Sequence, residues 1–432
     1  MANTDIYPFG QDAEMPAGYP IEDSLNSNSA QKALSARQGK RLKEMMAQPS
    51  AMPSLLQLGD PTNVIYTIDD FMLAHEYDQS QGIDNLKFSN DLGQTWTTVA
   101  NTYGIILNAF MFADGTFMMA AKLNNVTKFY WSRDFETFND CNVIDYDGTS
   151  KSSFTGTRGY TPNPSYKHTY VDGVEFYCFW DYIITTTQPR AWYAISDENG
   201  VTIRAAFAFG LSTLDGDTIP ARHVHAFVYN PYNKYFYILT GDHNEVECNV
   251  MRGGCVNHVW TWERLAYGQE YKLISPYFDD GNMYVTTDYT DARLADKKGV
   301  LSVPIDRIHY NNFRYWFKAT TSFMGNAALT YMIADNHAWR FGVTDYRGGT
   351  KHLIAMGDYN FVWVDNDKGV RFNTIVGPNC KGEVYVTYST PPLNVSGEDW
   401  LKISHQKTYN LTKAMRNSGA VDFFEGYSPT PI

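Results

Sequence analysis

The sequence predicts an all-β fold of many short strands, and three observations carry that prediction. Tyr, Phe and Trp make up 15% of the 432 residues, whereas charged residues make up only 19%. That composition suits half-buried strands better than charged-faced helices or disorder. The 32 glycines and 18 prolines supply turn residues at the frequency that short strands need. Strand-like runs separated by turn signals then recur from Thr62 onward. In one of them Asp172-Gly173 sits between Thr169–Val171 and Val174–Trp180, the two-residue signature of a tight hairpin.

Taken in order, residues 1 to about 25 are rich in Pro, Gly, Asn and Ser and read as an extended arm. The next stretch, N-S-A-Q-K-A-L-S-A-R-Q-G-K-R-L-K-E-M-M-A-Q, changes character. Ser35 followed by Gln38 fits a helix capping box, and good helix formers run from Ala36 to Met45. Leu42, Met45 and Met46 form an apolar stripe; Gly39 weakens the middle. So short a helix needs something to pack on, either the chain's own body or a partner. The segment Gly18 to Glu44 resembles the A-L-S-A-x-Q-G-K-x-L module of phage tail-fibre and other virion-surface proteins, with Ala33, Leu34, Ser35, Ala36, Gln38, Gly39, Lys40 and Leu42 matching. The resemblance implies a connection to a particle, with Leu34, Leu42, Met45 and Met46 as docking residues. No long heptad stalk follows, because Pro53 arrives soon after, so an attachment arm is expected in place of a shaft.

Strands follow one another after Thr62. Thr62–Tyr66, Phe71–His75, Leu86–Ser89 and Thr97–Val99 form a first unit, and Gly104–Phe110, Thr116–Ala121 and Thr127–Ser132 a second. Tyr166–Ile184 with Trp192–Ile195 and Ile203–Phe209 make a third. Arg222–Leu239 holds two strands about a P-Y-N-K turn. Further units run through Tyr277–Asp288, Val300–Pro304, Ala328–Thr344, Lys351–Trp363 and Val384–Ser389. The division expected is residues 1–50 as arm and 51–432 as β-body with a C-terminal docking or closing tail.

One turn has a pattern of its own. Ser89 to Trp96 reads S-N-D-L-G-Q-T-W: Asp91 can accept bonds from the turn backbone, Gly93 can take positive φ, and Trp96 can return a ring to the core. With Ser89, Asp91, Gly93, Thr95 and Trp96 in place it resembles the Asp-box of sialidase-like β-propellers, where the motif is a scaffold turn between the third and fourth strands of a blade. Weaker echoes are Ser132–Phe138, Ser196–Thr202 and Met251–Trp262. The resemblance implies an Asp-box β-propeller. The roughly 380 residues after the arm, in blades of about 40 to 60, give seven blades, with six or eight allowed. A jelly-roll or sandwich series is the competing architecture.

Bulk properties exclude several classes. A net charge of −12 disfavours a broad phosphate-binding surface, so no nucleic-acid partner is expected. No secretory signal and no bilayer-length apolar run is present in the sequence. Five scattered cysteines, Cys141, Cys178, Cys248, Cys255 and Cys380, suit buried free thiols, with Cys248–Cys255 as the one conceivable bridge.

The densest chemistry is Arg222-His223-x-His225, then Tyr229, Tyr232 and Gly241-Asp242-His243. On a strand His223 and His225 share a face. The run resembles an H-x-H…Y-x-P…T-G-D passage of some sialidase-superfamily propellers. Four uses are open. The histidines can be hydrogen-bonded core residues or can contact a glycan. His223, His225, Asp242 and His243 can also bind a metal, or Arg222, His223, His225, Tyr229 and Asp242 can catalyse elimination at a uronate. Asp279-Asp280, Asp288 and Asp291 read as solvated turn acids, and no motif assigns a sialidase arginine triad. The tryptophans serve as inter-sheet core or as sugar platforms.

The leading expectation is a phage virion protein, tail- or surface-associated, made in the bacterial cytoplasm. Residues 1–50 would dock an oligomeric virion partner, and the body would be an assembly platform or bind a host receptor or glycan. No cofactor is expected. The enzymatic alternative is a polysaccharide lyase or glycosidase-like depolymerase.

Overall fold

The computed structural model describes residues 56–57, most of 63–318 and separate segments between 328 and 410. Residues 1–55, with the expected helix and Leu34, Leu42, Met45 and Met46, lie outside the described residues, as do 411–432.

The described residues form an all-β succession of antiparallel sheets. The first holds Asn63–Ile68, Phe71–Asp78, Ile83–Ser89 and Thr97–Val99; the second is built on Ile105–Met111, Phe117–Leu123 and Val126–Ser132. The third is built on Val174–Asp181, Arg190–Asp197 and Gly200–Ala208. The fourth holds His223–Asn230, Tyr235–Gly241, Asn249–Val256 and Val259–Tyr267; the fifth starts with Leu273–Phe278 and Asn282–Thr287, and the sixth with Ala328–Ala334. The seventh combines Arg371–Val376, Tyr385–Ser389 and Gln406–Asn410 with the N-terminal strand Leu56–Gln57. Neighbouring sheets touch through their leading strands, Asn63–Ile68 meeting Ile105–Met111 and Arg371–Val376, and His223–Asn230 meeting Val174–Asp181 and Leu273–Phe278, a propeller-like arrangement.

The expected seven-bladed Asp-box β-propeller is nonetheless corrected. Among the described residues no sheet is closed on itself, and the sheets are unequal: the second has five strands, the third seven, and Thr213–Leu214 with Asp217–Thr218 is a separate two-stranded piece. The third also contains a parallel pair, Asn142–Ile144 beside Thr202–Arg204. The physical reason is visible between residues 139 and 144. Asn139–Asp140 pairs with Tyr130 and Trp131 of the second sheet, whereas Asn142–Ile144 crosses to the third. Strand propensity and turn residues fix local pairing, but they do not fix which sheet a short strand joins.

One register feature repeats. The first strand of six sheets carries one extra residue near its start: Ile65, Leu107, His225, the Ser275-Pro276 step, Thr330 and Asn373. Such a bulge bends the strand and sharpens its twist.

Aromatic rings fill the gaps between sheets. Tyr66 meets Phe110 at 5.4 Å, Phe110 stacks on Tyr177 at 3.8 Å, Phe176 meets Phe236 at 6.0 Å and Tyr237 meets Phe278 at 5.7 Å. These contacts tie sheets one to two, two to three, three to four and four to five. Polar ties accompany them. The Tyr177 hydroxyl donates to Asn108 Oδ1 at 2.9 Å, and the Ile106 N–H donates to the fully buried Asp84 carboxylate at 2.7 Å. The Trp262 indole, from an edge strand, donates to the Ala206 carbonyl at 3.1 Å. Cys141, Cys178, Cys248 and Cys255 are buried free thiols, so no Cys248–Cys255 bridge forms; Cys380 is outside the described residues.

Candidate functional site

The Ser89–Trp96 turn joins the third and fourth strands of the first sheet. Ser89 Oγ donates to Asp91 Oδ1 at 2.7 Å and accepts the Gly93 N–H at 2.9 Å. Thr95 donates its N–H to Asp91 Oδ1 at 2.8 Å and its hydroxyl to Oδ2 at 2.7 Å. These bonds, led by the Thr95 hydroxyl, hold the Asp91 carboxyl down at about 2. Trp96 packs onto Val64, Met72, Ala74, Val376 and Tyr385, and so seals the first sheet against the seventh. The carboxylate is thus held by backbone and hydroxyl groups of its own turn.

The echo at Ser132 repeats the bonds: Ser132 Oγ donates to Asp134 at 3.0 Å and accepts the Phe135 N–H at 2.9 Å, and Asp134 accepts the Thr137 N–H at 2.8 Å. Phe135 takes the left-handed φ of 59° where Gly93 takes 80°. Its ring stacks on Phe88 of the first sheet at 4.4 Å, a contact that offsets the strain of a side chain there. At Ser196 the turn keeps the Asn199 N–H to Asp197 bond, at 2.7 Å, while the Ser196 hydroxyl donates to Asp114 Oδ2 of the second sheet, at 2.7 Å. In the fourth sheet the corresponding turn is Asn257-His258, both at positive φ, with no carboxylate in it.

His223 and His225 begin the first strand of the fourth sheet, and His225 is that strand's bulged residue. Their rings lie 6.4 Å apart and nearly parallel, and both are buried. His225 Nδ1 is 3.1 Å from the Leu273 carbonyl of the fifth sheet, so Nδ1 carries the proton and donates. The fifth sheet brings two groups that sequence reasoning missed or set aside. Lys272, 2% exposed, reaches Asp288 Oδ2 at 3.3 Å. Gly241 sits against both: a Cβ there would stand 2.4 Å from His225 Cε1 and 2.8 Å from Lys272 Cγ. A buried lysine opposite a histidine pair left no local motif, because Lys272 and His225 meet only across two sheets.

Burial pushes His225 down to about 4, with Asp288 opposing and Lys272 and His223 adding to the fall. At neutral pH the imidazole is therefore neutral, and its bond to Leu273 ties the fourth sheet to the fifth. Arg222 stands just before the strand, half-buried. Tyr229 lies six residues beyond His223 on the same strand, roughly 20 Å away at about 3.3 Å per residue, and packs on Phe236 at 4.8 Å. The structure therefore does not bring Tyr229 to the histidines. Asp242 and His243 lie outside the described residues. Among the described residues no group of three or more His, Cys, Asp or Glu is arranged to hold a metal ion.

His225→Ala is expected to lower stability by about 2 kcal/mol through the lost bond and the space left. The native state holds fewer protons on His225 than the unfolded chain between about pH 4 and 6.5. Stability from this group is thus present above pH 6.5 and drains away as pH falls toward 4. Urea midpoints across that window should show His225→Ala losing least at the acid end; a deficit independent of pH would contradict the buried neutral imidazole.

Comparison with known proteins adds the following. Residues 21–50 match the phage tail fiber repeats family. No curated protein matches the chain. Among solved structures, a prolyl endopeptidase is similar at 9% identity and a TM-score of 0.47, over 82% of this chain and 48% of that one. YCF48 from Cyanidioschyzon merolae gives 9% and 0.43, over 83% and 98%. PorZ, a surface component of the type-IX secretion system of Porphyromonas gingivalis, gives 10% and 0.43, over 84% and 48%. The chain thus spans about half the length of the endopeptidase and of PorZ. At these scores the likenesses assign neither a fold family nor an activity. Among the described residues no helix is long and apolar enough to cross a membrane.

Proposed function

We propose that this chain is a phage virion protein, tail- or surface-associated, in which residues 1–50 attach a β-sheet body to the particle. The observation that carries this reading is the phage tail fiber repeat at residues 21–50, ending six residues before the strand Leu56–Gln57. The docking residues are Leu34, Leu42, Met45 and Met46, and the partner is another virion protein. The protein is made in the bacterial cytoplasm and works on the particle.

The body serves as an assembly platform or contacts a host receptor or glycan without covalent chemistry. Its exposed tyrosines support that role. Tyr170 and Tyr232 stand at or beside hairpin turns and are 52% and 48% exposed, and Arg252 and Arg264 lie over the rings of Tyr235 and Tyr267 at 4.6 and 4.5 Å. Exposed rings of this kind suit stacking on sugars, and Arg264 suits pairing with acidic substituents, whereas Arg252 is held by Glu263.

Removing residues 1–50 tests the reading. The shortened protein is expected to keep the strand content and unfolding midpoint of the full chain while its copy number in purified particles, measured by mass spectrometry against the major capsid protein, falls to background. Normal incorporation of the shortened chain would sink the attachment role.

A further inference from the structure

Arg204 is a cation that the surrounding chain leaves unmatched. It lies on Gly200–Ala208 of the third sheet, directly across from Tyr193 of Arg190–Asp197, so the two side chains share one face. That face meets the fourth sheet. The Tyr193 ring stands edge-on to Trp260 at 5.3 Å, and its hydroxyl is 3.3 Å from His258 Nδ1. Arg190 and Arg252 are matched by Asp145 and Glu263. Among the described residues Arg204 has no such carboxylate, and its Nε is buried without a hydrogen-bond partner. Trp260 Nε1 is also buried, beside the Tyr193 hydroxyl, without completing a hydrogen bond.

A buried donor without an acceptor carries its desolvation cost uncompensated, and native proteins keep few of them. Here two such donors gather about one tyrosine, next to a positive charge. Burial and then that charge hold the His258 imidazole below its ordinary value. An anion seated at this seam would accept from Arg204 and offset its charge. The surroundings select the anion. Val256 and Val259, 64% and 67% exposed, bracket the Asn257-His258 turn and give the seam an apolar rim. Asp172 acts on Cys255 from the same side, and it repels a doubly charged phosphate more than a singly charged carboxylate. A planar carboxylate also fits the guanidinium fork.

We propose that the seam between the third and fourth sheets, built on Arg204, Tyr193, His258 and Trp260, binds the carboxylate of an acidic sugar. This deepens the glycan-contact role proposed above and rests on it. Arg204 pairs with the carboxylate, Trp260 and His258 stand beside it, and the C–H face of the sugar lies on Val256 and Val259.

The test titrates full-length protein, carrying 13C-labelled histidine, with methyl β-D-glucuronide, methyl β-D-glucoside, acetate and phosphate. The glucuronide is expected to move the His258 signal saturably, the glucoside to leave it in place, and acetate and phosphate to bind about tenfold more weakly or worse. Arg204→Met keeps an unbranched side chain and removes the charge. It is expected to weaken the glucuronide about tenfold or more, while its urea midpoint equals or exceeds the parent's because an unmatched donor has gone. No His258 response to the glucuronide, or an equal response to the glucoside, would overturn the proposal. So would acetate or phosphate binding as tightly as the glucuronide, unchanged glucuronide binding by Arg204→Met, or a lowered midpoint for that variant. An array of bacterial surface polysaccharides separates the two levels of failure. Array binding that Arg204→Met retains in full sinks this site alone, whereas no array binding by the parent sinks the glycan-contact role with it.

Discussion

Trp192→Phe is expected to be strongly destabilising, and more so in alkaline than in acidic buffer. Trp192 is fully buried, packs edge-on to Phe154 at 5.5 Å, and donates its indole N–H to Asp181 Oδ1 at 2.7 Å. The other oxygen of Asp181 accepts the Arg190 N–H at 3.1 Å. Arg190 also donates Nε and Nη2 to Asp145 at 2.7 and 2.9 Å. Burial outweighs these donors and lifts the Asp181 carboxyl to about 7. A raised carboxyl means that the native state keeps a proton the unfolded chain gives up between about pH 4 and 7. Stability from this group therefore declines as pH rises through that window and is lowest above 7. Without the indole, the ionised carboxylate loses a charge-assisted bond and the protonated one a weaker neutral bond. The expected loss is about 2–4 kcal/mol at pH 8 and about half that at pH 5. Urea titrations at the two values decide the matter, and an equal loss at both would show that Asp181 does not titrate there.

The second large effect is expected at Gly104→Ala. Gly104 precedes the first strand of the second sheet at φ +108°, and a Cβ there would lie 2.2 Å from the Lys122 carbonyl oxygen. That oxygen belongs to the paired backbone of the neighbouring strand and has nowhere to go. The Gly104 carbonyl also accepts the Asp84 N–H at 3.2 Å, in the joint where Asp84 reaches across to Ile106 and lies 3.2 Å from His75 Nδ1. Displacing Gly104 loosens that joint as well, and a loss of about 3 kcal/mol or more is expected. Gly115→Ala supplies the contrast: φ is +83°, but nothing stands within 4 Å of its Cβ position, so only the backbone penalty of about 1 kcal/mol applies. Thermal unfolding of the two variants side by side separates collision from conformation, and similar melting points would refute the collision.

Strand identity was legible because it is written locally. Asp172-Gly173 lies between Thr169–Val171 and a strand beginning at Val174, as its hairpin pattern requires, and the turn after Asn230 separates the strands read from Arg222–Leu239. The Ser89–Trp96 turn was legible for the same reason, since each bond spans at most four residues. Sheet membership was not. Residues 139–144 divide between two sheets, and no residue type within them announces the crossing. The histidine pair was visible as a pattern of two, but its surroundings were not: Leu273, Lys272 and Asp288 come from the next sheet and leave no mark near position 225. The distance of Tyr229 from the histidines, by contrast, follows from its six-residue spacing along one strand.

The extra residue in the first strand of six sheets has a consequence for how this chain can change. The positions it occupies hold Ile65, Leu107, His225, Ser275 with Pro276, Thr330 and Asn373, side chains with no shared chemistry. What recurs is a count of residues and not a kind of residue. Substitution there leaves the count intact, whereas deleting one residue would slide the rest of the strand by one position and turn its inward side chains outward. Length is therefore what these six places have in common, whereas the side chain at each, His225 included, is fitted to its own surroundings.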